Sequence, residues 1–477
     1  MSIPGYPCHP SESGIEHSRT KINQAAEDLH LSCKPSIFFN SDPDATICKS
    51  PCLTEEETLQ YRCSCSFQIM QKDIETKLYQ YSMREKKEPI VLESKPYFPI
   101  ALSKIQRLMD VFLHQVLNHT TACEDSAFQF RYLRNSLSSI SFHSSWDEVT
   151  DCFITLIYSE PFTEEATAKW IQEAQSVCDS ILAPLKLSGI IGRSKKKKFI
   201  VLSKSLNSLH VDKEISDDFS IILRDTICPD YPNTLDTTNH SQELSAIKIK
   251  YHKPLEAFHH PNGKVMMKAL AWILTKISGI VQSTKNSPHL RLLELYCGCG
   301  AHTIPIAKLN VLYHIVAVEM DDRLVAACKE NWNLNRHSGM QVDKGSTCTT
   351  LDVMKEDAGN IARLILHKRW LKEERQKSNR PAHPNSKPNS WYTLPFDMLL
   401  VDPPKQGLDI SVCELAMKCS EIQHIIYISC GREALKRDLQ ILGDSYEVRE
   451  CCLMDLFPRT WSSVESLVHL QRRSIVT

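Results

Sequence analysis

Two apolar runs in this chain each stop at a residue able to do chemistry. FDMLLV ends in Asp402-Pro403-Pro404-Lys405, and HIIYIS ends in Cys430. Both runs read as buried strands of a parallel α/β sheet. Ligands of such sheets sit beyond the carboxyl ends of the strands, so Asp402 and Cys430 are expected to face one crevice. A thiol there is either a nucleophile or an inert buried sulfur, and the residue alone leaves both readings open. Glu465, which heads the last predicted strand after DLFPRT, is the candidate base.

A thiol, a base and a second carboxyl group suit one reaction in particular. C5 of uracil is a poor nucleophile until a thiolate adds to C6 and makes it enolate-like. After C5 is alkylated, a base must remove its proton so that the thiol can leave. Asp402-Pro403-Pro404 also resembles the Asp/Asn-Pro-Pro motif of amino-group methyltransferases, but Lys405 stands where those carry an aromatic residue.

The elements that position these residues alternate as a doubly wound sheet does. A strand at 291–295 runs into Tyr296-Cys297-Gly298-Cys299-Gly300, where two glycines let the backbone turn tightly beside a ligand. The next strand, 315–318, ends at Glu319, placed to accept hydrogen bonds from ribose hydroxyls. The third glycine of GxGxxG is absent, which favours a cofactor smaller than a dinucleotide, such as S-adenosylmethionine. Helices are predicted over 301–309, 322–335 and 358–371, with a charged, Pro- and Asn-rich surface insertion over 373–389.

Upstream, residues 53–245 mix strands and helices as an α+β module, with strands predicted at 61–70, 128–137, 151–157 and 199–202 and helices at 98–117 and 166–185. Its basic run, Arg193 and Lys195 to Lys198, reads as a solvated strand flank, a nuclear address or a phosphate-binding edge. Residues 1–52 are Ser-, Pro-, His- and Asn-rich without sustained periodicity and are expected to be poorly ordered. The catalytic domain is expected over 246–477.

Composition sets the outer bounds. The 477 residues suit two or three domains, and 42% hydrophobic and 24% charged residues are ordinary for a soluble protein. A net charge of −1 requires any nucleic acid to be held by local patches. The 19 cysteines form no repeated CxxC pattern, so a reduced intracellular compartment and no metal are expected. The longest apolar helix candidate, 265–281, is interrupted by Lys268 and Lys276, so no membrane span is expected.

Taken in order, these motifs resemble the RNA uracil-5 methyltransferases, in particular bacterial-type tRNA (uracil-5-)-methyltransferases. The likeness extends from about residue 53 to the C-terminus. It rests on Tyr61-Arg62, Phe98-Pro99, Gly192-Arg193, Pro261-Asn262, LLELYCGCG, VDPPKQGLD, YISC and DLFPRT with Val464-Glu465. The resemblance implies a Rossmann-like S-adenosylmethionine-dependent domain preceded by an α+β RNA-binding domain. It implies Cys430 as nucleophile, Glu465 as base, and His260, Tyr296, Ala301, Glu319 and Asp402 at the cofactor. Arg62, Arg193, Lys195 and Lys196 are the expected RNA contacts. The implied partner is the T arm of tRNA, with ribothymidine at position 54 as product, made by an intracellular monomer. The compartment, whether cytoplasmic, nuclear or organellar, stays open. His260 stands where the family has Gln, Ala301 where it has Asn, and Gly431-Arg432 where it has Asn-Pro. These replacements keep open an RNA-binding or RNA-folding protein with reduced catalysis, and the same thiol chemistry also suits an RNA cytosine-5 methyltransferase.

Overall fold

The computed structural model describes residues 13–32, 47–50, 54–71, 78–85, 88–92, 95, 97–119, 129–146, 151–195, 197–204, 222–227, 249–255, 257, 260–284, 289–336, 349–377, 395–460 and 464–474. Its strands in chain order are β1 (Ile47–Ser50), β2 (Ser64–Gln71), β3 (Tyr79–Glu85), β4 (Glu88–Val91), β5 (Leu137–Ser144), β6 (Cys152–Tyr158), β7 (Gly189–Ser194) and β8 (Lys197–Leu202). They continue with β9 (Ile222–Ile227), β10 (Ile249–Pro254), β11 (Arg291–Leu295), β12 (His314–Glu319), β13 (Thr350–Lys355), β14 (Met398–Val401), β15 (His424–Ser429), β16 (Tyr446–Met454) and β17 (Glu465–Arg472).

The catalytic half is one eight-stranded sheet in the order β1-β16-β17-β15-β14-β11-β12-β13. Only β17 runs against its neighbours β15 and β16; the other pairings are parallel. The carboxyl ends of β11, β12, β14 and β15 therefore share one edge with the amino end of β17. Both faces are covered, as a parallel sheet requires. One face packs on helices Ala358–Lys377, Ile410–Lys418 and Arg432–Leu442, the other on Gly263–Ser283, Thr303–Lys308 and Asp322–Asn335.

Helix Gly263–Ser283 is long and apolar enough to cross a bilayer by length and composition. It behaves as a core helix. Val265, Met266, Ala269, Leu270, Ile273, Leu274, Ile277 and Ile280 are buried against the sheet. Lys268 pairs with Glu57 at 2.8 Å and Lys276 with Glu450 at 2.5 Å.

The N-terminal half is a seven-stranded sheet, β4-β3-β2-β5-β6-β7-β8, antiparallel except for the β6–β7 pair. That parallel pair is joined through helix Glu164–Ser176, whose Trp170 is fully buried and donates to the Tyr158 hydroxyl at 2.6 Å.

Three expectations need correction. Residues 1–52 are not uniformly loose: Gly14–Ser32 is a helix and β1 is an edge strand of the catalytic sheet. The helix buries Ile22, Ala25, Ala26 and Leu29 against the core of that sheet, an i, i+3, i+4, i+7 stripe. The strand predicted over 128–137 is instead a helical turn, Arg131–Arg134, followed by β5. Glu173 Oε2 accepts from the amides of Tyr132 and Leu133, at 2.8 and 3.0 Å, which satisfies the turn's free donors. Helix Ala358–Lys377 also runs into the expected insertion, the rest of which lies outside the described residues.

Candidate active site

Strand order brings the chemistry together. Val401 is paired with Tyr427 across β14 and β15, so Asp402 and Cys430 leave neighbouring strand ends. Ser429 is paired with Ser466 across β15 and β17. The antiparallel register, continued by one residue, sets Cys430 opposite Glu465, and directly opposed residues project to the same side of a sheet.

The two loops flanking the thiol touch. A Cβ on Gly431 would lie 2.3 Å from the Lys405 carbonyl oxygen. Gly431 itself has ordinary extended backbone, φ −113°. It is the missing side chain, not conformational freedom, that lets the Asp402 loop close on the Cys430 loop. The neighbouring Arg432 guanidinium is held by Asp28 of helix Gly14–Ser32, so Lys405 is the cation acting on Cys430.

The loop leading to Glu465 is pinned by helix Gly14–Ser32 and by residues 55–61. Lys21 Nζ donates to Asp455 Oδ1 at 2.5 Å and to the Phe457 carbonyl at 2.9 Å. The Tyr61 hydroxyl donates to the Pro458 carbonyl at 3.1 Å. Arg459, buried with φ +61°, donates to Thr58 Oγ1 at 2.9 Å and to Glu55 Oε2 at 2.6 Å.

Next to this pair lie two histidines. His260 Nε2 is 3.7 Å from Glu465 Oε2, and His302 Nδ1 is 3.9 Å from Asp402 Oδ2. The His260 backbone is fixed, since its carbonyl accepts from Trp146 Nε1 at 2.8 Å. Asn262 then caps helix Gly263–Ser283 through Val265 N at 3.2 Å and donates to the Leu456 carbonyl at 3.0 Å.

The electrostatics favour neutral forms. Burial pushes the Cys430 thiol up to about 11, with the Glu465 and Asp402 charges adding to it and Lys405 opposing. Burial raises Asp402 well above the carboxylate range, helped by Glu465 and Glu294. Its side chain keeps 32% exposure. Glu294, fully buried in β11, is pushed up to about 8 by burial. Neither of its oxygens has a hydrogen-bond partner among the described residues; the Thr303 hydroxyl faces it without reaching hydrogen-bond geometry. Burial, then His260, takes His302 down to about 3, so it is a neutral imidazole.

The strand ends on the other side form a cradle. Tyr296, Gly298 and Gly300 all have positive φ, at +64°, +57° and +88°. A Cβ on Gly298 would meet nothing within 4 Å, which leaves open space for a ligand. Glu319 accepts from the amides of Gly298 at 3.0 Å, Met320 at 2.7 Å and Asp321 at 2.9 Å. A carboxylate offers about four lone-pair sites, so three are spent holding the turn and little beyond one is left for a hydroxyl. Ala301, half-buried beside this turn, contributes only apolar contact.

A family model described as tRNA (Uracil-5-)-methyltransferase matches residues 234–364 and 390–473. The match covers just under half of the chain and includes every strand that carries the site. Similar to it are the tRNA/tmRNA (uracil-C(5))-methyltransferases of Pseudomonas fluorescens, 26% identical over 413 residues, covering 87% of this chain and 88% of the relative. That of Pseudomonas aeruginosa is 26% identical over 427 residues, covering 89% and 91%. A solved structure, Pyrococcus abyssi tRNA (uracil-54, C5)-methyltransferase in complex with S-adenosyl-L-homocysteine, matches 96% of this chain and 84% of that chain at 15% identity and a TM-score of 0.49.

The matched model and these relatives support an S-adenosylmethionine-dependent methyltransferase. The residues present suit that cofactor. A sulfonium ligand carries positive charge, and the crevice supplies buried Glu294 and Asp402 with no cation of their own at ion-pair distance among the described residues.

Of the expected RNA contacts, Arg62 lies beside the site, its backbone bridged to Asn262, while Arg193 and Lys195 lie on the other sheet. Arg62 is half-buried between the two halves of the protein, donating to the Ser64 carbonyl at 3.0 Å and lying 5.6 Å from the Phe457 ring centroid. Arg193 and Lys195 are exposed on the β7–β8 hairpin, at the outer edge of the seven-stranded sheet. Lys196 lies outside the described residues. His302 and Glu294 were not singled out from sequence. An acid in the middle of LLELYC was a readable signal, whereas the meeting of His302 with Asp402 depends on strand order.

Proposed function

We propose that this protein methylates C5 of a uridine in the T loop of tRNA, the ribothymidine position 54, through a covalent bond between Cys430 and C6 of the base. The observation that carries the reading is the register that sets Cys430 opposite Glu465, with Asp402 on the adjoining strand end.

S-adenosylmethionine, when bound, supplies the methyl group as a sulfonium electrophile. The chain's own residues do the rest. The target uridine leaves its stack to enter the crevice, at a cost of a few kcal/mol. Cys430 thiolate adds to C6, and the electron pair of the C5–C6 double bond moves toward the O4 carbonyl, giving an enolate nucleophilic at C5. Once C5 carries the methyl group, Glu465 carboxylate takes the C5 proton. The electrons of that C–H bond re-form the C5–C6 double bond, and the C6–S bond breaks to return thiolate. Asp402 steadies the pyrimidine or the cofactor from the next strand end. Tyr296, the glycine turn and Glu319 hold the cofactor, with His260 and Ala301 beside it. Arg193 and Lys195 on the β7–β8 hairpin supply phosphate contacts whose strength falls with salt, and Lys196 is proposed as a further RNA contact.

The test is methylation of a tRNA transcript with radiolabelled S-adenosylmethionine, followed by mapping of the modified nucleotide. The reading expects 5-methyluridine at one T-loop position, lost in Cys430→Ala. Methylation elsewhere in the tRNA, or at cytosine, would replace this assignment.

A further inference from the structure

We propose that His260 is the relay that unloads Glu465, taking the proton which the base has removed from the substrate and passing it to solvent. The inference rests on Glu465 being the base.

Glu465 is 4% exposed, so a proton captured on its carboxyl group has no direct route to water. His260 Nε2 stands 3.7 Å from Glu465 Oε2, within side-chain rotation of a hydrogen bond, and its side chain keeps 18% exposure. The His260 backbone is locked through the Trp146 indole, so the imidazole is held at this site rather than swept across it. Its Nδ1 is buried and has no hydrogen-bond partner among the described residues, so no protein group commits the ring to another task.

Glu465 of β17 and His302 before helix Thr303–Lys308 face it; Asp402 after β14 lies behind His302, and Cys430 after β15 lies by Glu465 and Asp402. Lys405, next to Asp402 and Pro403-Pro404, acts on Cys430. Burial keeps His302 neutral, so the carboxylate left on Glu465 offsets the charge of a transient imidazolium without a competing imidazolium beside it. The step balances: the O–H bond of protonated Glu465 breaks, an N–H bond forms at His260 Nε2, and the imidazolium gives up its proton to water. Glu465 is left as carboxylate for the next cycle.

Pre-steady-state methylation of tRNA by the full-length protein separates this role from cofactor positioning. His260→Gln keeps a hydrogen-bonding side chain but cannot carry the proton. The expected result is a first turnover slowed far less than the steady state, which falls on the order of 10²-fold. A burst of product should precede a slow phase that accelerates with added imidazole. Wild type should show no such dependence on imidazole. Equal slowing of both phases, or a slow phase insensitive to imidazole, would overturn the relay and leave His260 a ligand-positioning residue. Glu465→Gln is the separate control: it should stall as a methylated Cys430–RNA adduct. Normal turnover without that adduct would remove the base assignment itself.

Discussion

Cys430 and Glu465 stand opposite each other, one residue beyond the Ser429–Ser466 pair that ends the β15–β17 ladder. Because β17 is the one reversed strand, its first residue meets the last residues of β15 at the same sheet edge. A parallel strand in that place would have put Glu465 at the far edge.

That proximity sets the thiol's resting state. With its ionisation pushed up to about 11 by burial and then by Glu465 and Asp402, Cys430 is overwhelmingly neutral at pH 7. Asp402→Asn and Glu465→Gln each remove a negative neighbour, so each should lower the thiol pKa. Alkylation rates of Cys430 across pH 6–10 would show this as a shift of the curve toward lower pH. S-adenosylmethionine, a sulfonium cation, should accelerate alkylation of the unblocked thiol, and S-adenosylhomocysteine, a neutral thioether at that sulfur, should not.

Buried Glu294 predicts the pH dependence of stability. Its folded-state ionisation, about 8, lies above that of an unfolded glutamate, near 4.3. The folded protein therefore holds this proton more tightly than the unfolded chain. Its contribution is full below about pH 4.3 and is lost progressively as pH rises through about 8. Thermal denaturation of the ligand-free protein should give a lower Tm at pH 8 than at pH 6, for this contribution. Glu294→Gln should flatten that difference.

The N-terminal helix is part of the catalytic domain. Lys21 and Asp455 form a buried ion pair, with side chains 3% and 0% exposed. Lys21→Met leaves the Asp455 carboxyl without that cation, a loss of ~3–5 kcal/mol for breaking a buried pair. Chemical denaturation measures it. Since Asp455 begins the loop that leads to Glu465, kcat should fall at temperatures where the variant is still folded. Restoring the cation as Lys21→Arg should recover part of both losses.

The ends of β11, β14 and β15 were legible because short apolar runs stopping at polar residues are the local mark of buried parallel strands. The shared crevice of Asp402 and Cys430 followed from the rule that ligands sit beyond the carboxyl ends of parallel strands, whereas the place of Glu465 opposite Cys430 depends on the reversal of β17, which has no local signal. The first helix was missed although Ile22, Ala25, Ala26 and Leu29 fall at helical spacing. Two of the four are alanines, so the apolar stripe is weak and its burial is set by the sheet it covers. Gly431 was legible as a replacement but not in its reason. The Lys405 carbonyl that excludes a side chain there comes from a loop 26 residues earlier, as the residue numbers show. Arg432 was legible only as a replacement next to the nucleophile, and the folded chain reveals its partner, Asp28.

The covalent step is tested most directly by trapping. A T-loop RNA carrying 5-fluorouridine gives Glu465 no C5 proton to remove, so the enzyme should halt after methyl transfer. With S-adenosylmethionine present, the account predicts a denaturation-stable protein–RNA adduct, mapped by mass spectrometry to Cys430 and absent from Cys430→Ala. Tight binding of that RNA by wild-type protein with S-adenosylmethionine and no adduct, while unmodified RNA is methylated at C5 of the same uridine, would contradict it.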